Sequence, residues 1–121
     1  MNMDKLSQVT PGVYKIEENY VGEAMKNLRE NQLIIQGDIF WHSHETKKVK
    51  LMKRASYLVG YNPFMKMDYD YLIELKSLLE ILLEDKDPDL VHCTIKNARW
   101  ITKDYIYTIT DNKINIEVNL A

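Results

Sequence analysis

The residues best suited to chemistry are His42-Ser43-His44-Glu45, with Asp38 just upstream and His92-Cys93 further along. In an extended segment His42 and His44 point the same way and could share a metal ion; in a helix they would stand about 200° apart and could not. A closed tetrahedral site needs four donors. Asp38, Glu45, His92 and Cys93 are the available completions, and they are scattered without a signature spacing. Polar residues at a strand-to-helix junction explain the cluster better, so neither a metal nor any other cofactor is expected. Cys93 sits among apolar neighbours on an expected strand, where cysteine behaves as an inert buried hydrophobe. Ser7, Ser43, Ser56 and Ser77 stand outside any nucleophile-elbow pattern. No carboxylate falls in a catalytic motif, and four glycines leave few for active-site loops. The sequence therefore reads as a binding protein rather than an enzyme, with no catalytic residue to assign.

Charge supplies the second pattern. Lys47 to Lys66 holds six basic residues and no acidic one, whereas Asp68 to Asp89 holds eight acidic and two basic. The total is only -2, so charge is segregated rather than in excess. Lys47, Lys50, Lys53 and Arg54 would gather on one face if residues 45–59 were helical, and clustered cations of that kind can meet phosphate by releasing condensed counterions. A solvated face, or pairing with the acidic segment of the same molecule, is the plainer alternative. No glycine-rich phosphate loop and no nucleic-acid motif of fixed spacing is present.

A third pattern is aromatic. Tyr57, Tyr61, Phe64, Tyr69 and Tyr71 cluster around Asn62-Pro63, with Met65 and Met67 between them. Rings of this kind suit a protein interface, and they equally suit the covering of a helix end.

These residues need elements to position them. From Asp68 to Asp85, Tyr71, Leu72, Leu75, Leu78, Leu79, Leu82 and Leu83 fall in an arc of roughly 140°, with Asp70, Glu74, Glu80 and Glu84 opposite. Asp68 is the expected N-cap, and Pro88 stops the helix. Ile73 and Ile81 point away from the arc, so the helix is expected to be sandwiched on two sides. A helix is also expected over 17–30, from Val21, Ala24, Met25 and Leu28. Another is expected over 45–59, from Leu51, Met52, Ala55, Leu58 and Val59. Residues 32–41 alternate as a strand, with a bulge or close approach at Gly37. Val13, Tyr14 and Ile16 suit a short strand after the Thr10-Pro11-Gly12 turn. Asp111-Asn112 should close a hairpin that pairs Thr110 with Lys113, and Lys103-Asp104 a second that sets Trp100 beside Tyr107. Val91, Cys93 and Ile95 then have the wrong parity for the core, which one extra residue near Asn97 would repair as a β-bulge.

The expected architecture is α+β: one domain over 1–121 with 1–12 as a tether, and about three helices on one face of an antiparallel sheet of four or five strands ending in a three-stranded meander. The lone cysteine, and the lack of an apolar leader or long apolar span, fit a cytoplasmic protein without membrane contact. Its work would be done by a surface carrying Lys47, Lys50, Lys53, Arg54, Tyr57, Tyr61 and Phe64. The partner expected is another protein, as for an inhibitor, an immunity or antitoxin-like protein, or a phage-borne accessory protein. The alternative is a nucleic acid or nucleotide phosphate held by the basic helix.

Overall fold

The C-terminal third folds as its turn residues dictate. The computed structural model describes residues 5–43, 49–87 and 90–121. Asp111 and Asn112 take φ of 51° and 63°, the paired left-handed geometry whose twist suits a tight hairpin. They join β6 (Tyr105–Thr110) to β7 (Lys113–Val118) in the expected register, with Thr110 against Lys113 and Tyr107 against Ile116. The Lys103-Asp104 turn pairs Trp100 with Tyr107 as expected. The bulge is present as well. Asn97, at φ 55°, lies in β5 (Leu90–Ile101) where two steps on the neighbouring strand, Gln36 to Asp38, span three on β5, Arg99 to Lys96. Cys93, Ile95, Trp100 and Tyr107 are consequently buried in one cluster. Ile116 has the right parity but is 60% exposed, and the Val91 side chain lies outside the described set.

The rest of the chain departs from the expected α+β plan. One antiparallel sheet of seven strands forms, in the order β1-β2-β4-β3-β5-β6-β7. β1 (Leu6–Thr10) comes from the segment read as a tether and pairs with β2 (Val13–Ile16) around Pro11-Gly12. β3 (Gln32–Ser43) is the expected strand, extended by two residues. β4 (Val49–Gly60) stands where a helix was expected over 45–59, of which 45–48 lie outside the described residues. The reason is burial: Ala55, Ser56, Tyr57, Leu58 and Val59 are all buried, because β4 is an inner strand covered on both faces. Such a strand loses its alternation, and a short apolar run then fits a helical arc equally well. The helix expected over 17–30 shrinks to a 3-10 turn at Glu18–Tyr20 and α1 (Val21–Lys26).

The two helices lie on opposite faces of the sheet, not on one. Ala24 of α1, with Leu28, packs on Ile34, Leu58, Ile101 and Ile106. On the other face α2 (Tyr69–Lys86) packs Leu72 and Leu79 on Leu33, Ile35, Tyr57 and Trp100. Asp68 caps α2 as expected, accepting from Tyr71 N–H at 2.9 Å. Leu78 and Ile81 are 53% and 52% exposed, so α2 is covered on one side only, not sandwiched. No helix among the described residues is long and apolar enough to cross a membrane.

The acidic flank of α2 has a structural task. β6 pairs with β5 only from Arg99 to Ile101, which leaves the stretch before it as an open edge. Glu80 accepts from Ile95 N–H and Glu84 from Cys93 N–H, each at 2.7 Å. Removing one carboxylate strands a backbone donor, at about 1–3 kcal/mol. Glu80→Ala and Glu84→Ala should each lower the unfolding free energy from a urea titration by that amount, and the Gln variants by less, since they keep an acceptor. Gly37 is the second sensitive point, because a Cβ there would lie 2.7 Å from Ile95 Cγ2 and 2.9 Å from Lys96 O. Gly37→Ala should destabilise by about 1–3 kcal/mol through overpacking, measured by the same titration.

Candidate anion-binding cleft on the open sheet face

Three central strands present one polar row on the face opposite α2. Gln36 of β3 lies across from Ser56 of β4 and from Arg99 of β5. Arg54 enters the row from the second bulge of the sheet, where Gly37 pairs with Ala55 but Ile39 pairs with Met52. Extra residues in neighbouring strands thus flank Gly37 on both sides, and bulges re-aim side chains. Asn97 at the first bulge donates to Asp38 at 3.0 Å and fixes that side of the row.

The Gln36 amide is the hub. Its Nε2 donates to Ser56 Oγ at 3.1 Å, while its Oε1 accepts from Arg54 Nη2 at 2.6 Å and from Arg99 Nη1 at 2.9 Å. Two guanidinium groups therefore converge on one neutral oxygen. Neither forms an ion pair among the described residues. They border a cleft of about 760 Å³ whose lining also includes Ser7, Lys15, Ile16, Glu17, Glu18 and Asn19. Like charges held this close repel, and the repulsion falls when an anion joins them.

The expected site residues do not assemble. Lys47 and His44 lie outside the described residues, and of Lys50 and Lys53 only the β4 backbone is described. Arg54 of the basic set lines the cleft. Tyr57 is 4% exposed in the core and offers no surface. Tyr61 packs against the same core, whereas Phe64 is 95% exposed. Asn62 Oδ1 accepts from Phe64 N–H at 3.0 Å, an Asx turn that holds this loop. His42 meets His92 edge-to-face at 6.0 Å between ring centres, and His92 Nδ1 lies 3.2 Å from Glu84 Oε1. No three candidate metal ligands come together among the described residues. Gln36, Ser56 and Arg99 were not singled out from sequence, since only the strand register joins them to Arg54.

No known protein family, curated protein or solved structure matches the chain.

Two groups beneath the sheet titrate late. Burial, then the nearby Glu80 and Glu84 carboxylates, pushes the Cys93 thiol up to about 11 from 9.0. Burial, with a smaller contribution from Cys93, pushes Tyr57 to about 12 from 10.0. Both groups are raised in the folded state, so their stabilisation is complete below the unfolded values and is lost as pH rises through the folded ones. The melting temperature should fall as pH climbs from about 9 to 12. Cys93→Ala should remove the earlier part of that fall. The native thiol should resist a disulfide reagent at neutral pH and react fully in denaturant.

Proposed function

We propose that this protein is a binding protein whose cleft takes a phosphoryl group, that of a nucleotide or of a nucleic-acid strand, between Arg54 and Arg99. The observation carrying this reading is the convergence of two guanidinium groups, without a carboxylate partner among the described residues, on the oxygen of Gln36. Planar guanidinium forks match phosphate oxygens two at a time. Charge favours the nucleotide: two guanidinium cations meet about -1.5 to -2 on a phosphate monoester at neutral pH, but only one charge on a carboxylate or on each diester of a strand. The Ser56 hydroxyl and Gln36 Nε2 supply neutral donors beside them. The cleft lies within the size range of small-ligand sites. Phe40, with Lys96 Nζ 5.1 Å from its ring centre, offers a half-buried aromatic beyond it. The reading does not use a basic helix, since residues 49–59 lie in β4. A reducing cytoplasm suits the single free, buried Cys93.

A second reading, a protein partner, rests on one observation: Phe64 and Met65 stand 95% and 46% exposed on the loop before α2. It places the working surface elsewhere, so the two separate by mutation.

Isothermal titration at low ionic strength with inorganic phosphate, AMP and ATP, and anisotropy with a single-stranded oligonucleotide, test the first reading. Arg99→Gln should weaken binding about 10- to 100-fold, the loss of a charge-assisted hydrogen bond of about 1.5–3 kcal/mol. Arg54→Gln, which is exposed, should cost less, and Phe64→Ala nothing. A steep linear fall of log affinity with log salt for the oligonucleotide alone would identify a strand rather than a nucleotide. Unchanged binding of every phosphate-bearing probe in the double arginine variant would sink the reading.

A further inference from the structure

The sheet has four stretches of open edge among the described residues, and they are treated differently: the start of β4, which β2 leaves unpaired before Ser56, carries the bulge between Met52 and Ala55. β1 is an outer strand of five residues whose register shifts between Gln8 and Thr10. A bulge of that kind blunts an edge against further pairing. The early half of β5 is closed by the Glu80 and Glu84 carboxylates. β7 is neither bulged nor capped. It runs in unbroken register from Lys113 to Val118, and no described strand lies beyond it.

The hairpin fixes which groups β7 offers. In a two-residue hairpin the closing pair, here Thr110 and Lys113, is the hydrogen-bonded one, and hydrogen-bonded pairs then alternate with non-bonded pairs. Ile114, Ile116 and Val118 therefore turn their N–H and C=O groups outward. Their side chains share the α2 face, where Ile116 and Val118 are 60% and 62% exposed and Tyr105 is 46% exposed. The opposite face carries Lys113, Asn115 and Glu117, all exposed.

We propose that β7 pairs antiparallel with β7 of a second copy of this chain, with Asn115 opposite Asn115 on the two-fold axis. That register is set by charge. It places Lys113 of each copy opposite Glu117 of the other, and Ile114 opposite Ile116, twice over by symmetry. Opposite charges and apolar β-branched residues facing each other are the favoured cross-strand pairs. The Ile114–Ile116 pairs fall where both backbones point outward, so they make the hydrogen-bonded pairs of the new ladder. Lys113–Glu117 and Asn115–Asn115 fall at the closer, non-bonded positions, where side chains interact most strongly. Sliding to Ile116 opposite Ile116 would set Glu117 against Asn115 and lose both ion pairs. The joined edges bring Ile114 and Ile116 of the two copies together on the α2 face, and they leave the Arg54–Arg99 cleft untouched.

Sedimentation of the full chain across micromolar to millimolar concentration should show a monomer–dimer equilibrium. Glu117→Lys and Lys113→Glu should each raise the dissociation constant about tenfold by placing like charges opposite, and the double exchange should restore it. Circular dichroism melts should show the variants folded, since both positions are exposed. Asn115→Cys supplies an independent readout. Paired across the axis, its Cα atoms would lie about 4.5 Å apart, within disulfide range, so mild oxidation should give a covalent dimer while buried Cys93 stays reduced. A protein that is monomeric throughout overturns the proposal. So does a dimer indifferent to both charge variants, or one that cross-links through Ile116→Cys but not through Asn115→Cys.

Discussion

The fold depends on a match of two repeats. Four residues of α-helix rise about 6.0 Å, and two residues of antiparallel strand span about 6.8 Å. Glu80 and Glu84, one helical turn apart, therefore reach Ile95 and Cys93, two strand residues apart, with equal bonds of 2.7 Å. The helix runs beside the strand as though it were the next strand of the sheet. It satisfies alternate backbone donors that β6 leaves free by diverging after Arg99. Lys76 Nζ lies 3.1 Å from Glu80 and steadies that carboxylate. Without the pair, the middle of β5 would be an open edge buried against a helix, a costly place for unpaired N–H groups.

The bulges follow from the same geometry and lead to the cleft. β5 must turn Cys93 and Ile95 toward α2 and also Trp100, although the two sets have opposite parity. The extra residue at Asn97 makes this possible, and Gly37 makes room for it, since no side chain fits beneath Ile95 and Lys96. β4 carries a matching bulge on the other side of β3. Arg54 and Arg99 stand just at these two irregularities, so the register that completes the core on one face gathers the cations on the other.

This history explains what could be read from the sequence. Hairpins were legible because their turn residues are local: Asp111-Asn112 and Lys103-Asp104 each fix a register by themselves. The Asn97 bulge was legible because parity on a half-buried face is a strict constraint. The α2 cap and stripe were legible for the same kind of reason. β4 was not, because burial on both faces erases the alternation that marks a strand. The task of Glu80 and Glu84 was not legible, since a helical wheel places them opposite the apolar arc but shows no neighbour, and their partners lie on a strand that follows the helix. The cleft was the least legible feature. Arg54 was visible as part of a basic run, but Gln36 and Arg99 lie 18 and 45 positions from it along the chain.

The segregation of charge along the sequence also changes meaning in three dimensions. The basic and acidic segments adjoin in sequence, and mutual neutralisation would be their simplest use. The sheet prevents it for Arg54. α2 lies on one face, with Glu80 and Glu84 bonded to the backbone of β5, while Arg54 and Arg99 bond to Gln36 on the other. A layer of packed side chains and backbone stands between the two charge sets. Coulomb attraction through it is weak beside a direct ion pair, since it falls with distance and the exposed guanidinium is screened by solvent and salt. The α2 carboxylates are thus committed to holding a strand edge, and the two arginines bond to Gln36 rather than to them.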